Sequence, residues 1–271
     1  MIEQRDGACG DPTPHASVNA FVAELHRRMR EVLGDALVGL YLDGSLALGG
    51  FDADSDIDFV AVTRRRISHQ TFLQLQAVHR ELARLDSPWA VQHEGSYLSR
   101  AELRRYDPAR SSHPNIERGA GEILKWATHD AVWNVHRRIL RERGIVVYGP
   151  PPVTLVDPVD GDELRAAMRR CLGDWPGHLL QYPHRPIGSA GYQSYIVLTL
   201  CRMLCTIETG EIRSKRNAAQ WAIAALGEPW AASIAWAWSA RSHPEMPTTA
   251  DDETRVRAFI ALALERSRPL Q

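Results

Sequence analysis

The chain has 271 residues, 44% of them hydrophobic, enough for a real core in one large domain or two modest ones. Its 32 Lys and Arg stand against 33 Asp and Glu, and a net charge of -1 gives no electrostatic reason to expect nucleic acid as a partner. No run approaches the roughly eighteen apolar residues of a membrane span, no apolar core segment opens the chain, and Cys9, Cys171, Cys201 and Cys205 include no Cys-x-x-Cys pair. A soluble, cytoplasmic, monomeric protein with neither a zinc site nor a disulfide framework is expected.

Residues 1–15 read as a loose polar arm. Val18, Phe21, Val22, Leu25, Met29, Val32 and Leu33 then recur at helical spacing and predict an amphipathic helix. Residues 37–42 are mostly apolar and uncharged, bounded by Gly34-Asp35 and Asp43-Gly44, the pattern of a buried strand ended by a turn. Gly44-Ser45 therefore stands at the C-terminal end of that strand. A glycine there lets the backbone approach a ligand, and Ser45 offers a hydroxyl and an amide at the start of a short helix, where free N–H groups attract phosphate oxygens.

Ten residues after Ser45 comes Ser55-Asp56-Ile57-Asp58, followed by the apolar residues 59–62. In a strand, i and i+2 share a face, so Asp56 and Asp58 project two carboxylates side by side while Ile57 turns into the core. Left alone, such a pair raises its own pKa values; a divalent cation removes the repulsion, and hard carboxylate oxygens suit Mg²⁺. A metal so held can stabilise charge in an in-line displacement at phosphorus, which points to nucleotidyl transfer. Gly44-Ser45, Gly49 or Gly50, and Ser55-Asp56-x-Asp58 before an apolar strand resemble the signature of the DNA polymerase beta-like nucleotidyltransferase superfamily.

That resemblance implies a third acid from a later strand on the same sheet face. After an expected helix over 68–85 and a Ser87-Pro88 break, residues 89–98 are short, bounded and strand-like, with Glu94 inside. A glutamate in a half-buried strand is costly unless paired or liganded, so Glu94 is expected as the third acid, metal ligand or general base. His93 faces the other way and reads as a surface or structural histidine.

Residues 107–121, rich in Pro, Ser, His and Asn, predict a long loop, and helical character is expected from 122 to 143, stopping at Gly144. Trp126 in that stretch is a candidate substrate contact, weighed against the commoner core role of tryptophan. Ile145-Val146-Val147-Tyr148 is a last strand, and Gly149-Pro150-Pro151-Pro152 can continue neither helix nor central strand. The expected organisation is α+β: a nucleotidyltransferase domain over 1–150, with a mixed sheet and helices, and an all-helical domain over 151–271. Its helices are expected at 161–172, 189–209, 215–226, 231–240 and 250–266.

Two cations in the helical half are locally unfavourable. Arg202 interrupts an apolar helix, and Lys215 follows Ser214 at a helix start, where its charge opposes the macrodipole. An anionic ligand explains both. The surrounding Leu198-Thr199-Leu200-x-Arg202 run and the Thr209-Gly210-x-Ile212-x-x-Lys215 turn resemble bacterial aminoglycoside adenylyltransferases of the kind that modify streptomycin and spectinomycin. The resemblance implies that Gly44, Ser45, Ser55, Arg202 and Lys215 bind ATP, that Asp56, Asp58 and Glu94 hold Mg²⁺, and that Glu94 takes the proton from an antibiotic hydroxyl. The family places acids just before the Leu-Thr-Leu run; here Gly191-Tyr192-Gln193-Ser194-Tyr195 carries none. Rival readings move AMP to a protein or another small-molecule hydroxyl, or bind nucleotide without turnover.

Overall fold

A computed structural model describes residues 11–175, 177–181 and 187–268. Its strands are β1 (Leu37–Leu42), β2 (Ile57–Thr63), β3 (His93–Ser99), β4 (Ser112–Ile116), β5 (Lys125–Thr128) and β6 (Ile145–Tyr148). They form one mixed sheet in the order β5-β4-β3-β2-β1-β6, with β2 and β3 parallel and the other pairs antiparallel. Around them lie α1 (Ala16–Leu33), α2 (Gly44–Ala47), α3 (His69–Leu82), α4 (Arg100–Arg104) and α5 (Asn134–Arg143).

The alternation of β2 decides which face is core and which is chemistry. Phe59 stacks on His79 of α3 with ring centroids 6.0 Å apart and meets Tyr97 of β3 edge-on at 5.8 Å. Phe21 of α1 packs on His93 at 4.9 Å, so α1 and α3 cover this side of the sheet. His79 bonds the Tyr97 hydroxyl at 2.8 Å and His93 Nε2 at 3.3 Å, and burial lowers its pKa to about 3, keeping it neutral. His93 is buried in this cluster and is structural. Asp58 and Glu94, each one residue out of phase with this packing, are turned to the opposite face.

Two segments depart from the sequence expectation. The expected loop over 107–121 contains β4, and the expected helix over 122–143 begins as β5, becoming helical only at Asn134. Pro114 and the polar neighbours of β4 hide its strand character, and four residues of β5, with side chains alternating in exposure, are too few to display a period. The arm over 1–15 is also shorter than expected at its inner end: Thr13 is buried and bonds Asn19 of α1. Its first ten residues lie outside the described ones.

The chain divides into two compact units. One comprises the chain to Ala47 with Ser55–Asp130 and His136–Pro158; the other takes Leu48–Asp54, Ala131–Val135 and the chain from Val159. The second unit holds α6 (Gly161–Asp174), α7 (Gly177–Gln181), α8 (Ala190–Thr209), α9 (Lys215–Leu226), α10 (Trp230–Arg241) and α11 (Ala250–Arg266). Helix α8 is its axis, burying Leu198, Leu200, Cys201, Met203, Leu204 and Cys205. Gly210 ends α8 in a left-handed C-cap and the Ser214 hydroxyl caps α9, the two boundaries read from sequence. Arg241 of α10 grips Asp52 through both guanidinium nitrogens at 2.7 and 2.6 Å, which fixes segment 48–54 within this unit. No helix among the described residues is long and apolar enough to cross a membrane.

Candidate active site

The site is built where β1 ends. The Asp43 amide donates to the Asp58 carbonyl at 3.0 Å, tying the last turn of β1 to β2, and Gly44 and Ser45 open α2. Gly44 has φ +55°, and a Cβ placed on it would stand 1.7 Å from Asp58 Oδ2. Only glycine admits both that backbone and that carboxylate. The sequence pair Gly44-Ser45 is thus the seat of Asp58 as well as a turn.

Parallel pairing sets Asp58 of β2 opposite Glu94 of β3. Neighbouring strands are about 4.8 Å apart, so the two side chains share one patch of the same sheet face. Two carboxylates this near repel one another when both are ionised. Burial pushes the Asp58 carboxyl well above the ordinary range, reinforced by the charges of Glu94, Asp56 and Asp43. Burial also raises Glu94, with Asp56 adding to the effect. Asp56, just before β2, pairs with Arg118 at 3.2 Å.

The sequence reading missed Asp43, His136 and Arg118. Asp43 is buried, and its Oδ2 lies 2.6 Å from His136 Nδ1 at the start of α5. Its strand-end position beside Gly44 was a usable signal; His136 and Arg118 reach the site only through folding and carried none.

The donor set fits a magnesium ion. Asp43 Oδ1 and Ser45 Oγ are buried without a hydrogen-bond partner among the described residues, and Asp58 and Glu94 stand opposite one another as two repelling hard oxygen donors. Among the described residues no three His, Cys, Asp or Glu side chains form a complete cage.

The fold brings Gly44, Asp58 and Glu94 together and sets Asp56 within electrostatic reach of both acids; Ser55 is buried beside Asp56. Trp126 is placed elsewhere. It stacks on Phe72 of α3 at 5.6 Å and lies beneath Arg66 at 5.2 Å, hence on the α3 side of the sheet, opposite the acids. Within the helical unit Arg202 lies on α8 and Lys215 is the first residue of α9, both half-buried. Glu208 pairs with Arg266 and Glu211 with Arg213, and neither is an ion-pair partner of Arg202 among the described residues.

Residues 154–266 match the family model of the aminoglycoside adenylyltransferase C-terminal domain. The chain is 27% identical over 207 residues to a spectinomycin 9-adenylyltransferase of Staphylococcus aureus, covering 73% of this chain and 75% of that one. It is 28% identical over 228 residues to an aminoglycoside (3'') (9) adenylyltransferase of Escherichia coli, covering 76% and 81%. Its fold matches the crystal structure of a spectinomycin adenyltransferase from Enterococcus faecialis, determined with ATP and spectinomycin. The TM-score is 0.68 at 18% identity, over 92% of this chain and 98% of the other.

Proposed function

We propose that this chain, a member of the aminoglycoside adenylyltransferase family, transfers AMP from ATP to a hydroxyl of an aminoglycoside or aminocyclitol antibiotic, and so confers resistance. The observation that carries the chemistry is the register that sets Asp58 opposite Glu94, with Gly44 left bare beneath the Asp58 carboxylate.

Asp56 and Asp58 are the carboxylates suited to hold Mg²⁺, with Glu94 as a further ligand or as the base. When bound, the ion supplies charge stabilisation to the triphosphate during in-line displacement. Glu94 accepts the proton of the acceptor hydroxyl as its oxygen attacks the α-phosphorus; the new O–P bond forms as the α–β bond breaks and pyrophosphate leaves. Gly44, Ser45 and Ser55 bring backbone and hydroxyl groups to the nucleotide. Arg202 and Lys215 serve as phosphate ligands, an assignment supported by their placement on an apolar helix and at a helix N-terminus. Tyr192 and Tyr195, exposed and stacked at 6.2 Å where the family resemblance expects acids, favour stacking over ion pairing in acceptor recognition.

Release of pyrophosphate measures the reaction directly. It should require ATP, Mg²⁺ and an antibiotic together, and Glu94→Gln should lower it about a hundredfold or more while ATP affinity stays within a few fold. Release at the same rate without antibiotic would overturn the acceptor assignment. Loss of ATP affinity in Glu94→Gln would make Glu94 chiefly a ligand rather than the base.

A further inference from the structure

Four acids, Asp43, Asp56, Asp58 and Glu94, converge on this face. Asp58 lies opposite Glu94 in the sheet register, and Asp43 Oδ2 lies 2.6 Å from His136 Nδ1. Asp56 is met from outside, by Arg118 of the segment between β4 and β5: Nη1 stands 3.2 Å from Oδ2.

That pair is built to be given up. The pair is exposed to solvent, with the Arg118 side chain 48% exposed against 20% for Asp56, and such pairs are weakly held. It is the one ion pair Arg118 makes among the described residues. The backbone beside it is fixed, since the Gly119 amide donates to the Val91 carbonyl at 2.8 Å, so the side chain can swing while its base stays.

A guanidinium stays protonated at any working pH and cannot escape a competing cation by losing a proton. If Asp56 is given to a divalent ion, Arg118 must find another anion. A triphosphate bound with that ion would bring one, and the planar guanidinium fork suits phosphate oxygens.

We propose that Arg118 is the built-in counter-cation of this site: it holds Asp56 against free divalent metal and moves to the nucleotide phosphates when metal and ATP bind together. The proposal rests on the adenylyltransferase reading. Its consequence is an ordering device, because Arg118 opposes metal binding alone and favours binding of the metal–nucleotide complex.

The test compares the unaltered chain with Arg118→Ala and Arg118→Lys. Mn²⁺ affinity without nucleotide is read by electron paramagnetic resonance, and Mg·ATP affinity without acceptor by calorimetry. Arg118→Ala should bind Mn²⁺ about three- to fivefold tighter, as expected on removing one exposed ion pair. It should bind Mg·ATP about tenfold more weakly, with Arg118→Lys between the two proteins in both measurements. If either affinity is unchanged in Arg118→Ala, the proposal is overturned. Should Arg118→Ala not fold by circular dichroism, Arg118→Gln carries the same comparison. Failure of the unaltered chain to transfer AMP strikes the adenylyltransferase reading, and the Mn²⁺ comparison then still decides whether Arg118 competes for Asp56.

Discussion

Replacing Asp58 by asparagine should abolish AMP transfer, by about a thousandfold or more, and at the same time make the metal-free protein more stable at neutral pH. The first effect follows if Asp58 is, as proposed, a charged oxygen ligand, since such a ligand contributes several kcal/mol of transition-state stabilisation, each ~1.4 kcal/mol being a factor of ten. The second follows from the raised pKa of Asp58. The folded chain holds that proton more firmly than the unfolded one, so this residue favours the fold below the ordinary value of 3.8. That contribution is lost progressively as pH rises from the ordinary value through the folded one, so at pH 7 the buried acid opposes folding. Asparagine carries no such charge, and its amide can donate to Glu94 across the strand pair. A gain on the order of 1 kcal/mol in urea unfolding at pH 7, vanishing near pH 4, is the expected signature of a site that trades stability for function. Equal stability of the two proteins across that range would contradict the buried-acid description. Added Mg²⁺ should raise the unfolding midpoint of the unaltered chain and leave that of Asp58→Asn nearly unmoved.

Gly44→Ala should damage the same site without touching a carboxylate. The new methyl meets Asp58 Oδ2 at 1.7 Å and Cγ at 2.4 Å, and the backbone at φ +55° is strained for alanine before any contact is counted. Strain and displacement together are expected to lower stability by about 1–3 kcal/mol. Turnover should fall about a hundredfold, because a ligand carboxylate moved by about 1 Å no longer meets the reacting phosphate correctly. Gly34→Ala is the control. Gly34 has φ +49° but nothing within 4 Å of a Cβ, so it should cost about 1 kcal/mol of backbone strain and leave turnover in place. Equal losses of turnover in the two variants would show that Gly44 acts through general backbone strain and not through the seat of Asp58.

These residues also mark what can be read from a linear chain. Asp58 was legible because a strand has period two, although Asp56 stands one residue before β2 and not on it, and Glu94 because one acid inside a short, half-buried strand demands a reason. The pairing of Asp58 with Glu94 was not legible, since it depends on parallel register across the intervening helix α3. Strands β1, β2 and β6 announced themselves as apolar runs between turn residues. Strands β4 and β5 did not: Pro114 interrupts one, and Lys125–Thr128 is too short to separate from the helix that follows it. Trp126 was misplaced for the same reason, because an unrecognised strand put it on the α3 face. Asp43 with His136 and Asp56 with Arg118 are charge pairs made by tertiary folding alone, and no spacing rule reaches that far.

One incubation tests the central assignment most directly. Purified protein, ATP and Mg²⁺ are mixed with a panel of aminoglycosides and aminocyclitols, and every component is weighed by mass spectrometry. The expected result is one added adenylyl group on an antibiotic, formed in step with pyrophosphate and absent when Asp58→Asn replaces the unaltered chain. An unmodified panel, with AMP attached to protein or with ATP left intact, would contradict it.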